Sequence, residues 1–113
     1  MAILGREPDA GGLHVELEPK GERVLIRAWG EFNPSSAREF EAKLRQAIRR
    51  NPIGVTLDLG GVTFLDSTGL RVLISAAMMA HASRRELIVL RASEQVRHVI
   101  ETSGVEDLLP LAD

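Results

Sequence analysis

Apolar positions change their spacing several times along this 113-residue chain, and each change marks an element. Leu13, Val15 and Leu17 alternate with His14, Glu16 and Glu18, which predicts a half-buried strand. Pro19-Lys20-Gly21-Glu22 reads as a turn, and Arg23 to Trp29 as a second strand, so a β-hairpin opens the fold. After Gly30-Glu31-Phe32 the period becomes helical. Asn33 supplies an N-cap, Pro34 the first helical position, and Ala37, Phe40, Leu44, Ala47 and Ile48 one apolar face. Glu39–Lys43 and Glu41–Arg45 stand at i,i+4 on the outer side, and Asn51-Pro52 ends the helix near Arg50.

Ile53 to Leu59 predicts a third strand with Ile53, Val55, Leu57 and Leu59 on one side, followed by a turn at Gly60-Gly61. A second helix runs from about Ser67 to about Ala82. Leu70, Leu73, Ile74, Ala77 and Met78 form its stripe, widened by Val72, Ala76 and Met79. So broad a stripe implies a helix that packs on a sheet and also meets a neighbouring helix or a partner. Leu87 to Leu90 is a continuous apolar strand of the buried kind. Ser93 caps a short helix with Val96, Val99 and Ile100 inward and Gly104 as its stop, and Val105 to Leu111 is apolar enough to pack on the body. The order β-β-α-β-α-β-α is that of an α/β protein with a mixed sheet and helices packed on it. Residues 1–12 read as a flexible tail and 13–113 as one domain.

Composition then narrows the function. Fourteen basic and sixteen acidic residues are spread along the chain, and the few aromatics lie in apolar patterns rather than between cations. Direct nucleic-acid binding is therefore not expected. There is no cysteine, so thiolate chemistry is excluded. The N-terminus lacks the charged and apolar blocks of a secretory signal, and the apolar run from Leu70 to Ala82 is too short to span a bilayer. A cytoplasmic protein without membrane insertion is the expectation.

The chemistry concentrates in Val62-Thr63-Phe64-Leu65-Asp66-Ser67-Thr68-Gly69-Leu70, where a strand gives way to a carboxylate, two hydroxyls and a glycine at a helix start. The unpaired N–H groups and dipole of that end favour negative charge. An aspartyl-phosphate mechanism would want an acid two positions after Asp66, where Thr68 stands, and a downstream lysine; the last lysine is Lys43. The spacing of Asp66 and Gly69 is wrong for an aspartic protease. Ser67 lies in no Gly-x-Ser-x-Gly elbow and has no obvious activating histidine. His14, His81 and His98 fall on different elements, so no metal site is expected, and no cofactor motif accompanies Gly60-Gly61. An enzyme is not expected. Spacing alone leaves two readings: Asp66 and Ser67 merely cap the helix, or Ser67 is a phosphorylation switch.

Together, Gly30-Glu31-Phe32, the strand Val55-Thr56-Leu57-Asp58-Leu59 and the segment from Val62 to Leu70 resemble a STAS domain. More narrowly, from about Leu13 to Leu111, the chain is similar to the bacterial anti-sigma-factor antagonists. The resemblance implies the STAS fold and a partner-switching role. An anti-sigma factor that is also a serine kinase would phosphorylate Ser67, a phosphatase would reset it, and the unphosphorylated form would free a sigma factor. Asp66, Thr68, Gly69 and Leu70 would then be partner contacts, with Glu31 and Asn33 from the neighbouring loop. Gly69 would be the small residue that keeps the helix start accessible. The family's loop usually ends in aspartate, so Asn33 removes a negative charge beside Ser67. The family's final helix is expected to be short or missing. The alternative role is that of an adaptor subunit, in a lipid-transporting ABC complex or a stress-signalling assembly, docking through helix 67–82. A monomer or weak homodimer fits either.

Overall fold

The computed structural model describes residues 12–112; the expected tail lies outside them except for Gly12, whose carbonyl accepts a hydrogen bond from Glu31 N–H at 3.1 Å. Strands β1 (Leu13–Lys20) and β2 (Arg23–Glu31) pair antiparallel from Leu13↔Gly30 to Lys20↔Arg23. The turn is therefore only Gly21-Glu22, shorter than the four residues expected. Gly21 permits this tight reversal because its φ of +69° is a left-handed value.

Helix α1 (Pro34–Arg50) forms as its pattern predicts, with Ala37, Phe40, Leu44, Ala47 and Ile48 buried. Asn33 Oδ1 accepts from Ser36 N–H, and Ser36 Oγ accepts from Asn33 N–H, each at 2.9 Å, closing a reciprocal cap. Arg45 reaches Glu41 at 3.9 Å, whereas Glu39 and Lys43 form no ion pair among the described residues.

Two corrections concern the third strand. Strand β3 runs Gly54–Phe64, so Ile53 lies outside it and is 45% exposed. Gly60 and Gly61 are not a turn but part of that strand, and they serve close approach. A Cβ on Gly61 would meet Trp29 Cβ at 2.5 Å, and one on Gly60 would meet the Arg91 carbonyl at 2.8 Å. The β2–β3 register shifts between Arg27 and Trp29, next to these glycines.

Helix α2 (Ser67–Ala82) follows, then β4 (Glu86–Leu90), α3 (Glu94–Thr102) and a fifth strand that the pattern does not predict, β5 (Leu111–Ala112). β5 pairs parallel to β4, with Val89↔Leu111. The segment 105–111, expected only to pack, thus also completes the sheet. β4 alternates rather than being buried throughout: Leu87 and Val89 are buried, Ile88 and Leu90 half-buried. On α2 the buried residues are Gly69, Val72, Leu73, Ala76, Ala77 and Ala80, and Met78 is 58% exposed, so the inward face lies to one side of the expected stripe.

The sheet order is β1-β2-β3-β4-β5, parallel from β2 onward. Each crossover steps one strand in the same direction, and right-handed connections then place α1, α2 and α3 on one face. That face holds the core: Val24, Ile26, Ala28, Val55, Leu57, Leu59, Leu87 and Val89 are at most 5% exposed. On the other face lie Glu18, Arg27, Asp58 and Ile88, with His14 stacked on Trp29 at 5.7 Å.

Candidate functional site

The expected site residues converge at the carboxyl ends of β2 and β3, where α1 and α2 begin. In an open parallel sheet such ends leave room for ligands and partners. The two loops are tied together by backbone: Phe32 N–H donates to the Phe64 carbonyl at 3.2 Å, and Thr63 Oγ1 donates to the Gly30 carbonyl at 3.2 Å. From below, α3 fixes the loop before α2. Leu65 N–H donates to Gln95 Oε1 at 3.1 Å, and Ser93 Oγ donates to the Val62 carbonyl at 2.7 Å.

Asp66, not Ser67, caps α2. Its backbone is extended, and its Oδ1 accepts from Gly69 N–H at 2.9 Å. Ser67 is consequently the first helical residue. It is exposed, and its hydroxyl makes no hydrogen bond to any described residue. The cap reading of Ser67 is thereby overturned, because the carboxylate one position earlier already serves the free N–H.

The other expected residues divide by burial. Glu31 is exposed at the end of β2, opposite Phe64 in the register. Thr68 and Asn33 are half-buried, and the Asn33 side chain is engaged in capping α1. Leu70 is half-buried and packs on the core. Gly69 is buried, and its smallness serves packing rather than access. A Cβ there would lie 2.5 Å from Leu65 Cδ1 and 2.8 Å from Phe32 Cγ.

Three residues at the site escape sequence reasoning. Phe64 ends β3 with 46% of its surface exposed beside Glu31; as a lone aromatic in an apolar run it gives no outward signal. Arg38 and Arg71 line one groove with Thr68, Glu41 and Val72 between the starts of α1 and α2. Each is the fifth residue of its helix, a spacing that could have flagged them as neighbours across parallel helices.

None of the three histidines joins this groove: His14 stacks on Trp29, His81 lies near the far end of α2, and His98 is on α3. Among the described residues no group of three or more His, Cys, Asp or Glu could hold a metal ion, and no helix is long and apolar enough to cross a membrane.

The geometry defines a small α/β module that presents a hydroxyl and charged side chains at the head of a helix. The chain belongs to the STAS domain family: the family model described as "Mlab, STAS domain" matches residues 15–110. BtrV of Bordetella bronchiseptica, named as a candidate anti-sigma factor antagonist, is 32% identical over 84 residues, covering 74% of this chain and 72% of BtrV. A solved anti-sigma factor antagonist from Mycobacterium paratuberculosis has the same fold, with a TM-score of 0.80 at 20% identity over 93% of this chain and 89% of that one. The antagonist SpoIIAA is similar in its unphosphorylated form, with a TM-score of 0.74 at 24% identity, over 88% of this chain and 89% of SpoIIAA. SpoIIAA of Bacillus in its phosphorylated form gives a TM-score of 0.71 at 24% identity, covering 88% and 92%.

Proposed function

We propose that this chain is an anti-sigma factor antagonist whose binding to an anti-sigma factor is switched by phosphorylation of Ser67. The carrying observation is the division of labour at the start of α2: Asp66 holds the cap, so the Ser67 hydroxyl is exposed and makes no hydrogen bond among the described residues. A phosphoryl group can be added there without breaking the helix start. The named relatives and the two forms of SpoIIAA support the same reading.

The reaction belongs to the partner. In an anti-sigma serine kinase, Ser67 Oγ attacks the γ-phosphorus of ATP, an O–P bond forms, ADP leaves, and the hydroxyl proton passes to the kinase. Phosphorylation adds roughly −1.5 to −2 charges at neutral pH next to the Asp66 carboxylate. A partner resting on Glu31, Asn33, Asp66, Thr68 and Leu70 would then meet a strongly changed surface. A phosphatase reverses the change, and the cytoplasm is the compartment where ATP and sigma factors meet.

Intact-mass analysis after incubation with the cognate kinase and ATP is expected to show one added phosphate on the native chain and on Thr68→Ala, and none on Ser67→Ala. Phosphorylation should weaken the complex with the unmodified anti-sigma factor at least tenfold, or about 1.4 kcal/mol. Phosphate retained on Ser67→Ala, or equal affinity of both forms, rejects the switch.

A second reading follows from α2, whose Met78 is 58% exposed beside half-buried Ile74 and Met79. Such a face suits an adaptor docked on another subunit. Co-purification with an ABC ATPase, lost in Met78→Asp, would favour that role.

A further inference from the structure

Ser67 and Arg71 are four residues apart on α2, so they rise from the same side of the helix with Cβ atoms about 5–6 Å apart. Arg38 of α1 faces the same groove as Arg71, and Thr68 and Glu41 are on its walls. Both arginines are exposed, and neither meets a carboxylate among the described residues. That sets them apart from Arg23, Arg27 and Arg91, which pair with Glu86, Glu18 and Asp58 across the sheet. Glu41 also lines the groove; its carboxylate lies 3.9 Å from Arg45 and forms no ion pair with Arg38 or Arg71. Two guanidinium groups without a carboxylate partner among the described residues therefore share one groove with Thr68, the residue next to Ser67.

We propose that this groove is the resting place of the phosphate once Ser67 is modified, with Arg71 gripping it along α2 and Arg38 closing on it from α1. The inference deepens the switch and rests on the reading of Ser67 as the modified residue. Guanidinium forks bind phosphate through paired, charge-assisted hydrogen bonds; Arg71 stands one helical turn after Ser67, and Arg38 shares its groove. The switch then has two parts: it adds an anion, and it withdraws two cations that the unmodified surface offers to an acidic partner.

The test uses phosphoserine incorporated at position 67 during translation, so it needs no kinase. The phosphorus resonance is followed by NMR against pH. Ordinary phosphoserine loses its second proton near pH 6, and the clamp should hold position 67 below that value. Arg71→Ala is expected to raise it by about half a pH unit or more, Arg38→Ala by a smaller amount, and both together by the most. Arg71→Lys keeps the charge but loses the fork, and should fall between the native chain and Arg71→Ala. Arg84→Ala, beyond the far end of α2, should leave the titration unmoved. A double variant whose curve overlays that of the unsubstituted protein overturns the clamp. Failure of the kinase to modify Ser67 would instead sink the switch reading, and leaves the phosphorus titration to judge the groove by itself.

Discussion

Asp66 and Ser67 are both good N-caps, and they are adjacent. Sequence places a cap at this boundary but does not say which residue fills it, since helix ends shift by a residue without changing the apolar pattern. The structure assigns the cap to Asp66, and that single step frees Ser67. Asp66→Ala should therefore cost about 1 kcal/mol of stability through the lost bond to Gly69 N–H, while Asp66→Asn retains most of it. Chemical denaturation of the three proteins checks the order. If Asp66→Ala is as stable as the native chain, another group caps α2 and the account of Ser67 must change. Glu31 and Thr68 are expected site residues through the resemblance, and the structure places them in the two neighbouring loops at the starts of α1 and α2. Arg38 and Arg71 carry no motif, because they come to line one groove only when two helices run side by side.

At the scale of elements, the helices were the most legible parts. Asn33-Pro34 and Ser93 mark two starts correctly, and the period of α1 predicts its whole buried face. Paired glycines usually signal a turn, whereas in β3 they admit Trp29 and the Arg91 backbone against a continuous strand. The phase of α2 slipped because alanine and methionine are apolar alike; the small residues Gly69, Ala76, Ala77 and Ala80 turn inward where backbones crowd, and Met78 turns out. Gly69 sets how closely the first turn of α2 approaches the loop before α1. Alanine in a helix is ordinarily favoured over glycine by about 1 kcal/mol. At this position its Cβ would press on Phe32, which is 1% exposed and cannot yield as the end of Leu65 can. Overpacking of about 1–3 kcal/mol should win. Gly69→Ala is thus expected to lower the midpoint of thermal unfolding, and a rise would mean that the helix start has slack.

For the whole molecule, one rule accounts for the layout: three right-handed crossovers stepping in one direction leave the helices on a single face. Charge follows the same division. α1 and α2 carry six Lys or Arg and two Asp or Glu, in a chain whose formal net charge is −2. Lys43, Arg45, Arg49 and Arg50 lie in the later part of α1, so only Arg38 and Arg71 of these six stand at the end that carries Ser67. The core beneath the helices is closed at its far edge by the chain's last turn, where Leu109 is fully buried and Leu108, its neighbour, is 36% exposed. Apolar composition alone shows that 105–111 packs, but not which leucine enters or that a strand follows, since a two-residue strand has no period to read. Leu109→Ala should cost about 2–5 kcal/mol, through lost burial and the cavity left behind. Against a typical domain stability of about 5–15 kcal/mol this is a large fraction. Leu108→Ala should cost much less. Urea unfolding followed by the fluorescence of Trp29, the only tryptophan, provides the measurement. The midpoint should fall sharply for Leu109→Ala with an unchanged slope, the mark of a weakened but still cooperative fold. Equal midpoints for the two variants would show that the final turn is an appendage to the core and not part of it.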